Sequence, residues 1–209
     1  MEPKNYKENI RRFYNHEAQF RNNRPNKEDW KINVRKQFCD LLLNEHKKTL
    51  LELGAGAGYD SQFFAANGLT VTAVDLSPEM VKNCKEKSLE AYELDFYDIS
   101  TLNKTFDSAY TINAFLHIPK NDLEYVLGEV NSILNPGGLF YLGLYGGNDT
   151  ETEFIVPEIS DAPRFYAFHT AEQLRKILEH QFEIISFESI KVDKGEIDIF
   201  HSVIMKKIV

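Results

Sequence analysis

The sequence predicts an α/β protein: a doubly wound, mainly parallel sheet with helices on both faces and one antiparallel strand near its end. Three observations carry that expectation. A short apolar run, Leu50-Leu51-Glu52-Leu53, passes at once into Gly54-Ala55-Gly56-Ala57-Gly58. From there, apolar runs of strand length alternate with helical patterns, as parallel strands joined by crossover helices require. Beyond residue 180 two strand-like runs follow one another with only Val192-Asp193-Lys194-Gly195 between them, which reads as a hairpin.

Two helices come first. Residues 6–22 repeat Tyr6, Ile10, Phe13, Tyr14, Ala18 and Phe20 at helical spacing, and residues 27–45 do the same with Trp30, Val34, Phe38, Leu41 and Leu42. Arg24-Pro25-Asn26 separates them, because proline fits badly inside a continuing helix. The strand at 50–53 and its glycine turn lead to a helix over 60–67, stopped by Gly68. A second strand spans 70–74. Ser77-Pro78-Glu79 opens the next helix, with serine as N-cap and proline in the first turn. Strands follow at 89–94 and 106–112, then a helix over 120–134 that Asn135-Pro136-Gly137-Gly138 ends, and a fifth strand at 139–145. Residues 146–170 read as a connection far longer than the usual ~2 to 6 residues, the length of a lid or binding loop. A helix over 170–179 and strands at 182–190 and 196–205 complete the chain.

The bulk properties narrow the function. At 209 residues, 43% hydrophobic and 27% charged, the chain has the make-up of one soluble domain. The net charge of −8 argues against a broad nucleic-acid footprint and against anionic membranes. The polar start Met1-Glu2-Pro3-Lys4-Asn5 carries no secretory pattern, and no apolar run is long enough to span a membrane. The two cysteines, Cys39 and Cys84, make neither a disulfide framework nor a metal motif, so a reducing cytoplasm is expected and no metal. The early basic residues, Arg11 to Lys36, read mainly as a solvated helix face.

The glycine turn is the first sign of chemistry. A strand that bends sharply into a helix needs residues tolerant of unusual dihedrals, and the helix N-terminus offers free N–H groups to an anion. The spacing Gly-x-Gly-x-Gly is not the dinucleotide pattern Gly-x-Gly-x-x-Gly, because Tyr59 fills its last position and would crowd a pyrophosphate. Glu52 stands just before the turn, Asp75 ends the second strand, and Asp95, followed by Phe96, ends the third. Ligands of open α/β sheets bind at such strand ends. A carboxylate at Asp75 suits the two hydroxyls of a ribose, and Asp95 beside Phe96 suits the amine and ring of adenine.

These stretches resemble class I S-adenosylmethionine-dependent methyltransferases of small-molecule type. Residues 50–58 look like the family's first motif. Val74-Asp75-Leu76-Ser77-Pro78-Glu79-Met80 is similar to its ribose-binding stretch, and Asp95-Phe96 to its adenine contact. Asn113-Ala114-Phe115-Leu116-His117-Ile118-Pro119 resembles the exit of its fourth strand, and Leu134-Asn135-Pro136-Gly137-Gly138 its proline-glycine-glycine turn. Tyr14-Asn15-His16-Glu17-Ala18-Gln19-Phe20 looks like a tyrosine-bearing cap helix.

The resemblance implies a Rossmann-like sheet of order 3-2-1-4-5-7-6 with strand 7 antiparallel. It implies one domain over 1–209, with a helical cap over 1–46, a core over 47–209 and a substrate loop over 146–169. It implies S-adenosyl-L-methionine as cofactor and S-adenosyl-L-homocysteine as product. Glu52, Gly54, Ala55 and Gly56 would surround the methionine moiety, Asp75 and Leu76 the ribose with Met80 nearby, and Asp95 and Phe96 the adenine. Asn113 would border the methionine or the methyl group, and Tyr14 and Arg24 would close the site.

Methyl transfer is an in-line displacement on an already activated donor, so alignment and exclusion of water are the protein's main tasks. His117 is the best-placed general base where the acceptor must lose a proton. Arg164 and Tyr166 in the 146–169 segment suit a polar or planar acceptor. The absence of an Asn/Asp-Pro-Pro-Tyr/Phe tetrad after strand four disfavours DNA-amine methylation, and neither cysteine follows a proline. The expectation is a small-molecule oxygen or nitrogen acceptor and a monomer or homodimer. A non-catalytic sensor or partner subunit binding S-adenosylmethionine or S-adenosylhomocysteine is the alternative. A nucleotide-dependent oxidoreductase is disfavoured by Tyr59.

Overall fold

The computed structural model describes residues 5–24, 29–192 and 198–208. Two helices, α1 (Tyr6–Asn22) and α2 (Asp29–Asn44), precede the first strand β1 (Thr49–Leu53). Then come α3 (Tyr59–Ala66), β2 (Thr70–Asp75), α4 (Pro78–Glu86) and β3 (Glu90–Glu93). A 3₁₀ segment, Phe96–Leu102, leads to β4 (Phe106–Ile112), and a second, Phe115–His117, to α5 (Lys120–Ile133) and β5 (Leu134–Gly146). Two strands, β6 (Thr150–Val156) and β7 (Ser160–Phe168), come before α6 (Ala171–Leu178), β8 (Phe182–Lys191) and β9 (Ile199–Lys207).

The main sheet has seven strands in the order β3-β2-β1-β4-β5-β9-β8. β1 to β5 pair in parallel, while β9 runs antiparallel to both β5 and β8. This is the expected order once the two inserted strands are counted. The turn expected at Val192-Asp193-Lys194-Gly195 extends past Val192 outside the described residues, as do Pro25 and Asn26 of the separator between the first helices.

Alternation along β1 builds the two faces of the core. Leu50 points to one side, among Phe38 of α2, Phe64 of α3 and Tyr110 of β4. Leu51 and Leu53 point to the other, with Val126, Leu127 and Val130 of α5 and Leu174 and Leu178 of α6. Ser77 caps α4 by accepting the Met80 N–H at 3.2 Å, with Pro78 in the first turn. α6 begins with a capping box between Thr170 and Gln173.

The expected loop over 146–169 is corrected: it is a β-hairpin. β6 and β7 form a separate two-stranded antiparallel sheet in which Phe154 faces Arg164 and Thr152 faces Tyr166. Residues 164 and 166 share one face of the ribbon, and the buried Phe165 and Ala167 take the other. Pro163 is tolerated because a two-stranded ribbon leaves half its N–H groups outside the ladder. The hairpin packs against α1, where the Tyr6 and Phe165 rings lie 5.6 Å apart and Arg12 meets Asp161 at 2.9 Å. Among the described residues no helix is long and apolar enough to cross a membrane.

Candidate active site

The carboxyl ends of β1, β2 and β4 open into a cavity of about 910 Å³ roofed by α1 and the hairpin. Its floor is the glycine turn. Gly54, at φ +72°, cannot carry a side chain: a Cβ there would lie 2.4 Å from the Ala114 Cβ. The Gly54 and Ala55 N–H groups donate to the Val74 carbonyl at 2.9 and 3.0 Å, which ties the turn to the end of β2. Gly56, at φ +55°, differs: a Cβ there would meet nothing within 4 Å, so its backbone borders open space.

Asp75 is buried at the end of β2 and holds the turn in place. One carboxylate oxygen accepts the Gly56 N–H at 2.8 Å and the other the Ser77 N–H at 2.9 Å. Each oxygen keeps a further lone pair for a ligand. Burial raises its pKa, against the pull of these N–H donors. Glu52 is also buried, accepts the Ser61 hydroxyl, and has its carboxyl held well above the usual range by burial, with Asp60 and Asp75 adding to the effect. Asn113 sits just after β4 at φ +54°, fixed by its N–H to the Gly143 carbonyl at 2.7 Å. Its side-chain Oδ1 is buried without a partner and belongs to the cavity wall.

The cavity gathers Tyr14, Arg24, Glu52, Gly54, Ala55, Gly56, Asp75, Leu76, Asp95, Phe96, Asn113, His117, Arg164 and Tyr166, every site residue picked out above but one. Met80 is the exception and a correction: its side chain is fully buried, outside the lining, because the first turn of α4 directs it into the core. Arg24 is exposed at the rim, its guanidinium 4.7 Å from the Phe20 ring. Phe96 lies against Phe115, ring centres 5.1 Å apart. Asp95 accepts the Tyr97 N–H at 3.2 Å and meets the Lys7 ammonium at 2.8 Å.

His117 is buried with both ring nitrogens engaged. Nδ1 lies 2.7 Å from the Phe165 carbonyl oxygen and Nε2 lies 2.8 Å from the Tyr14 hydroxyl. A carbonyl only accepts, so Nδ1 carries the proton and Nε2 accepts from Tyr14. Burial lowers the histidine pKa to about 4; the bond to Phe165 opposes that shift, and the charges of Arg164 and Arg21 add to it. The imidazole is therefore neutral at pH 7, with its lone pair already committed to Tyr14.

Several residues that the sequence reading did not place in the site complete it. Tyr97 donates its hydroxyl to Asp122 at 2.5 Å and therefore accepts that of Tyr6 at 2.9 Å, while Lys7 lies 3.4 Å from the centre of the Tyr97 ring. The Tyr59 hydroxyl donates to the Asn22 carbonyl at 2.5 Å, fastening the glycine turn to the end of α1. Tyr97, directly after Asp95-Phe96, was the one with a usable signal: an aromatic residue at a strand end.

Comparison with known proteins gives the same picture. Residues 50–138 match the model of a methyltransferase domain family. A malonyl-[acyl-carrier protein] O-methyltransferase of Hamiltonella defensa is 31% identical over 134 residues, 63% of this chain and 51% of that protein. A ubiquinone biosynthesis O-methyltransferase of Xanthomonas axonopodis pv. citri is 29% identical over 116 residues, 52% and 48% of the respective chains. The chain thus spans about half the length of the curated relatives it matches. Among solved structures, a Burkholderia thailandensis 1,6-didemethyltoxoflavin-N1-methyltransferase with bound S-adenosylhomocysteine superposes with a TM-score of 0.72 at 19% identity, over 100% of this chain and 92% of that one. The Synechocystis magnesium protoporphyrin IX methyltransferase with bound S-adenosylmethionine gives 0.71 at 13% identity over the whole of both chains. Residues 50–138 are thus similar to a methyltransferase domain, and the whole chain has the fold of class I methyltransferases.

Proposed function

We propose that this chain is a class I methyltransferase that uses S-adenosyl-L-methionine to methylate an oxygen or nitrogen of a small molecule, leaving S-adenosyl-L-homocysteine. The observation that carries the reading is Asp75, whose two oxygens are each held by one backbone N–H beside an open glycine turn. The donor set fits the group. Three carboxylates, Glu52, Asp75 and Asp95, line a cavity whose wall includes Asn113, its side-chain Oδ1 buried without a partner, and this set suits a ligand bearing an ammonium, two hydroxyls and an amine.

In this reading Glu52, Gly54, Ala55 and Gly56 hold the methionine end, Asp75 and Leu76 the ribose, and Asp95 and Phe96 the adenine, with Asn113 beside the reacting centre. When bound, the cofactor supplies a methyl group already activated on a sulfonium. The chain supplies alignment: α1 and the hairpin close the cavity and exclude water. Tyr14 presents its hydroxyl oxygen to the acceptor while donating to His117 Nε2, and the Phe165 carbonyl fixes the ring. His117 orients Tyr14 and takes a proton through it only at the cost its low pKa sets. Arg164 and Tyr166 face the acceptor, and Arg24 stands at the mouth. The whole of 1–209 works as one unit, with 1–46 as cap. The names of similar proteins, an O-methyltransferase of ubiquinone biosynthesis and a 1,6-didemethyltoxoflavin-N1-methyltransferase among them, support a small acceptor. A cytoplasmic monomer or homodimer with no nucleic-acid or membrane partner completes the proposal.

Calorimetry with S-adenosylmethionine, S-adenosylhomocysteine and NAD, followed by a screen of metabolite extract with methyl-labelled donor, tests it. Binding of the first two and a labelled small product are expected. Preferential NAD binding refutes the cofactor, and tight binding with no labelled product refutes catalysis in favour of a sensor.

A further inference from the structure

Arg164 is a cation that methyl transfer alone does not require. It stands on β7 with its guanidinium carbon 3.8 Å from the centre of the Phe13 ring and 5.3 Å from that of Tyr166. Its Nε is sealed from solvent with no acceptor. Among the described residues no hydrogen bond or ion pair engages this side chain, whereas Arg11, Arg12, Arg21, Arg35 and Arg175 each meet a carboxylate. A guanidinium placed between aromatic faces has given up much of its hydration, and its planar fork is shaped for two oxygens of one anion.

The surroundings specify what that anion is attached to. The hairpin carries Phe154 and Ile155 at the cavity with 41% and 56% of their surface exposed, apolar area that no described element covers. The Phe154, Tyr166 and Phe168 rings form a row, centres 5.4 and 5.7 Å apart. Such a wall takes a flat apolar body. The nearby His117 is neutral and has its lone pair filled by Tyr14, so it offers no competing charge. Of the other arginines at this side of the cavity, Arg21 is engaged by Glu17 at 3.5 Å and Arg24 stands exposed at the rim against the Phe20 ring. One free fork matches the two oxygens of a carboxylate and leaves the third oxygen of a phosphate facing rings.

We propose that the methyl acceptor is a planar carboxylic acid, held as its anion by Arg164 with its flat body against Tyr166 and Phe154. The proposal rests on the methyl-transfer reading above and names its substrate class.

The test is equilibrium binding of naphthoate, naphthamide and naphthyl phosphate to the full chain loaded with S-adenosylhomocysteine. Naphthoate is expected to bind at least about tenfold more tightly than the other two. Arg164→Gln should abolish that preference, and Arg164→Lys, which keeps the charge without the fork, should restore part of it. Both variants should bind S-adenosylhomocysteine like the wild type, which also shows that they are folded. Equal affinity for acid and amide, tighter binding of the phosphate, or an unchanged preference in Arg164→Gln overturns the proposal and leaves the methyl-transfer reading standing. Failure of the wild type to bind S-adenosylhomocysteine refutes that reading itself, and the proposal with it.

Discussion

Acidification from pH 7 to pH 5 should draw on the buried imidazole of His117, and the size of the effect follows from its surroundings. Burial, with help from Arg164 and Arg21, brings its pKa to about 4. In the unfolded chain the value returns to about 6.5. A group whose folded pKa lies below its unfolded value binds more protons when unfolded, so stability falls as the pH drops from about 6.5 toward about 4. The cost is a few tenths of a kcal/mol at pH 7 and about 2 kcal/mol at pH 5. Glu52 and Asp75, whose folded pKa values are raised, act in the opposite sense as the pH falls. His117 must therefore be isolated by difference. Urea unfolding of the wild type and His117→Gln, at both pH values and constant ionic strength, gives that difference. The stability advantage of the wild type should shrink by about 2 kcal/mol on going to pH 5. An advantage that stays level or grows would mean that His117 is charged or exposed in the fold, and the neutral Tyr14–His117–Phe165 arrangement would be refuted.

Three further outcomes test the donor half of the site. Asp75→Ala should weaken S-adenosylhomocysteine binding by about a hundredfold in calorimetry, from two charge-assisted contacts of about 1.5 kcal/mol each; a change below about threefold would rule out the ribose role. Gly54→Ala should lower the melting temperature by about 4–8 °C, since left-handed backbone and the Ala114 clash together cost about 2 kcal/mol, whereas Gly56→Ala, with the same left-handed backbone but open space around it, should lower it by about half as much and lose cofactor affinity as well. Burial raises the Glu52 pKa, and the ammonium of S-adenosylhomocysteine favours its ionised form, so S-adenosylhomocysteine affinity should rise as the pH rises through that raised pKa. In Glu52→Gln that rise should flatten, as read by calorimetry across a pH series.

The parts of the fold written in local pattern were legible in the sequence. β1, β2, β4 and β5 are nearly continuous apolar runs because both faces of the sheet are covered, and glycine or proline marks where they stop. The hairpin over residues 150–168 escaped because its apolar face serves a cavity instead of a core. Glu151, Glu153, Pro157, Glu158, Asp161 and Pro163 interrupt the period-two signal, and it reads as a long polar loop. At the site, the positions of Asp75 and the glycines were legible because they sit at strand ends. Met80 misled because spacing marks a turn of helix without fixing which way the side chain leaves it. The bonds from Tyr14 to His117 and from Tyr6 to Tyr97 join residues 103 and 91 positions apart. Nothing local encodes such a pairing, and only the placement of α1 across the sheet creates it.

That placement also divides the charge within one cavity. At the floor, Glu52 and Asp75 lie beneath the turn, with Asp95 at the next strand end, in a protein whose net charge is −8. At the hairpin end the balance reverses, with Arg164 lacking a carboxylate and Arg21 near a neutral His117. A sulfonium and an ammonium are favoured at the first end, and an anion at the second. In the proposed reaction, transfer of a methyl group from a sulfonium to an anionic accepting atom would leave both reacting centres less charged, so water, which stabilises the separated charges, would slow that step and its exclusion would favour it. In that reaction the roof of α1 and the hairpin limits the access of water once both ligands are in place, and the opposed charges of the cavity favour the donor at one end and an acid at the other. In this reading the neutral histidine belongs to the same logic. An imidazolium beside Arg164 would compete with that guanidinium for the acceptor's anion, and a buried imidazole tied to Tyr14 and Phe165 leaves the guanidinium alone to fix where the acceptor lies.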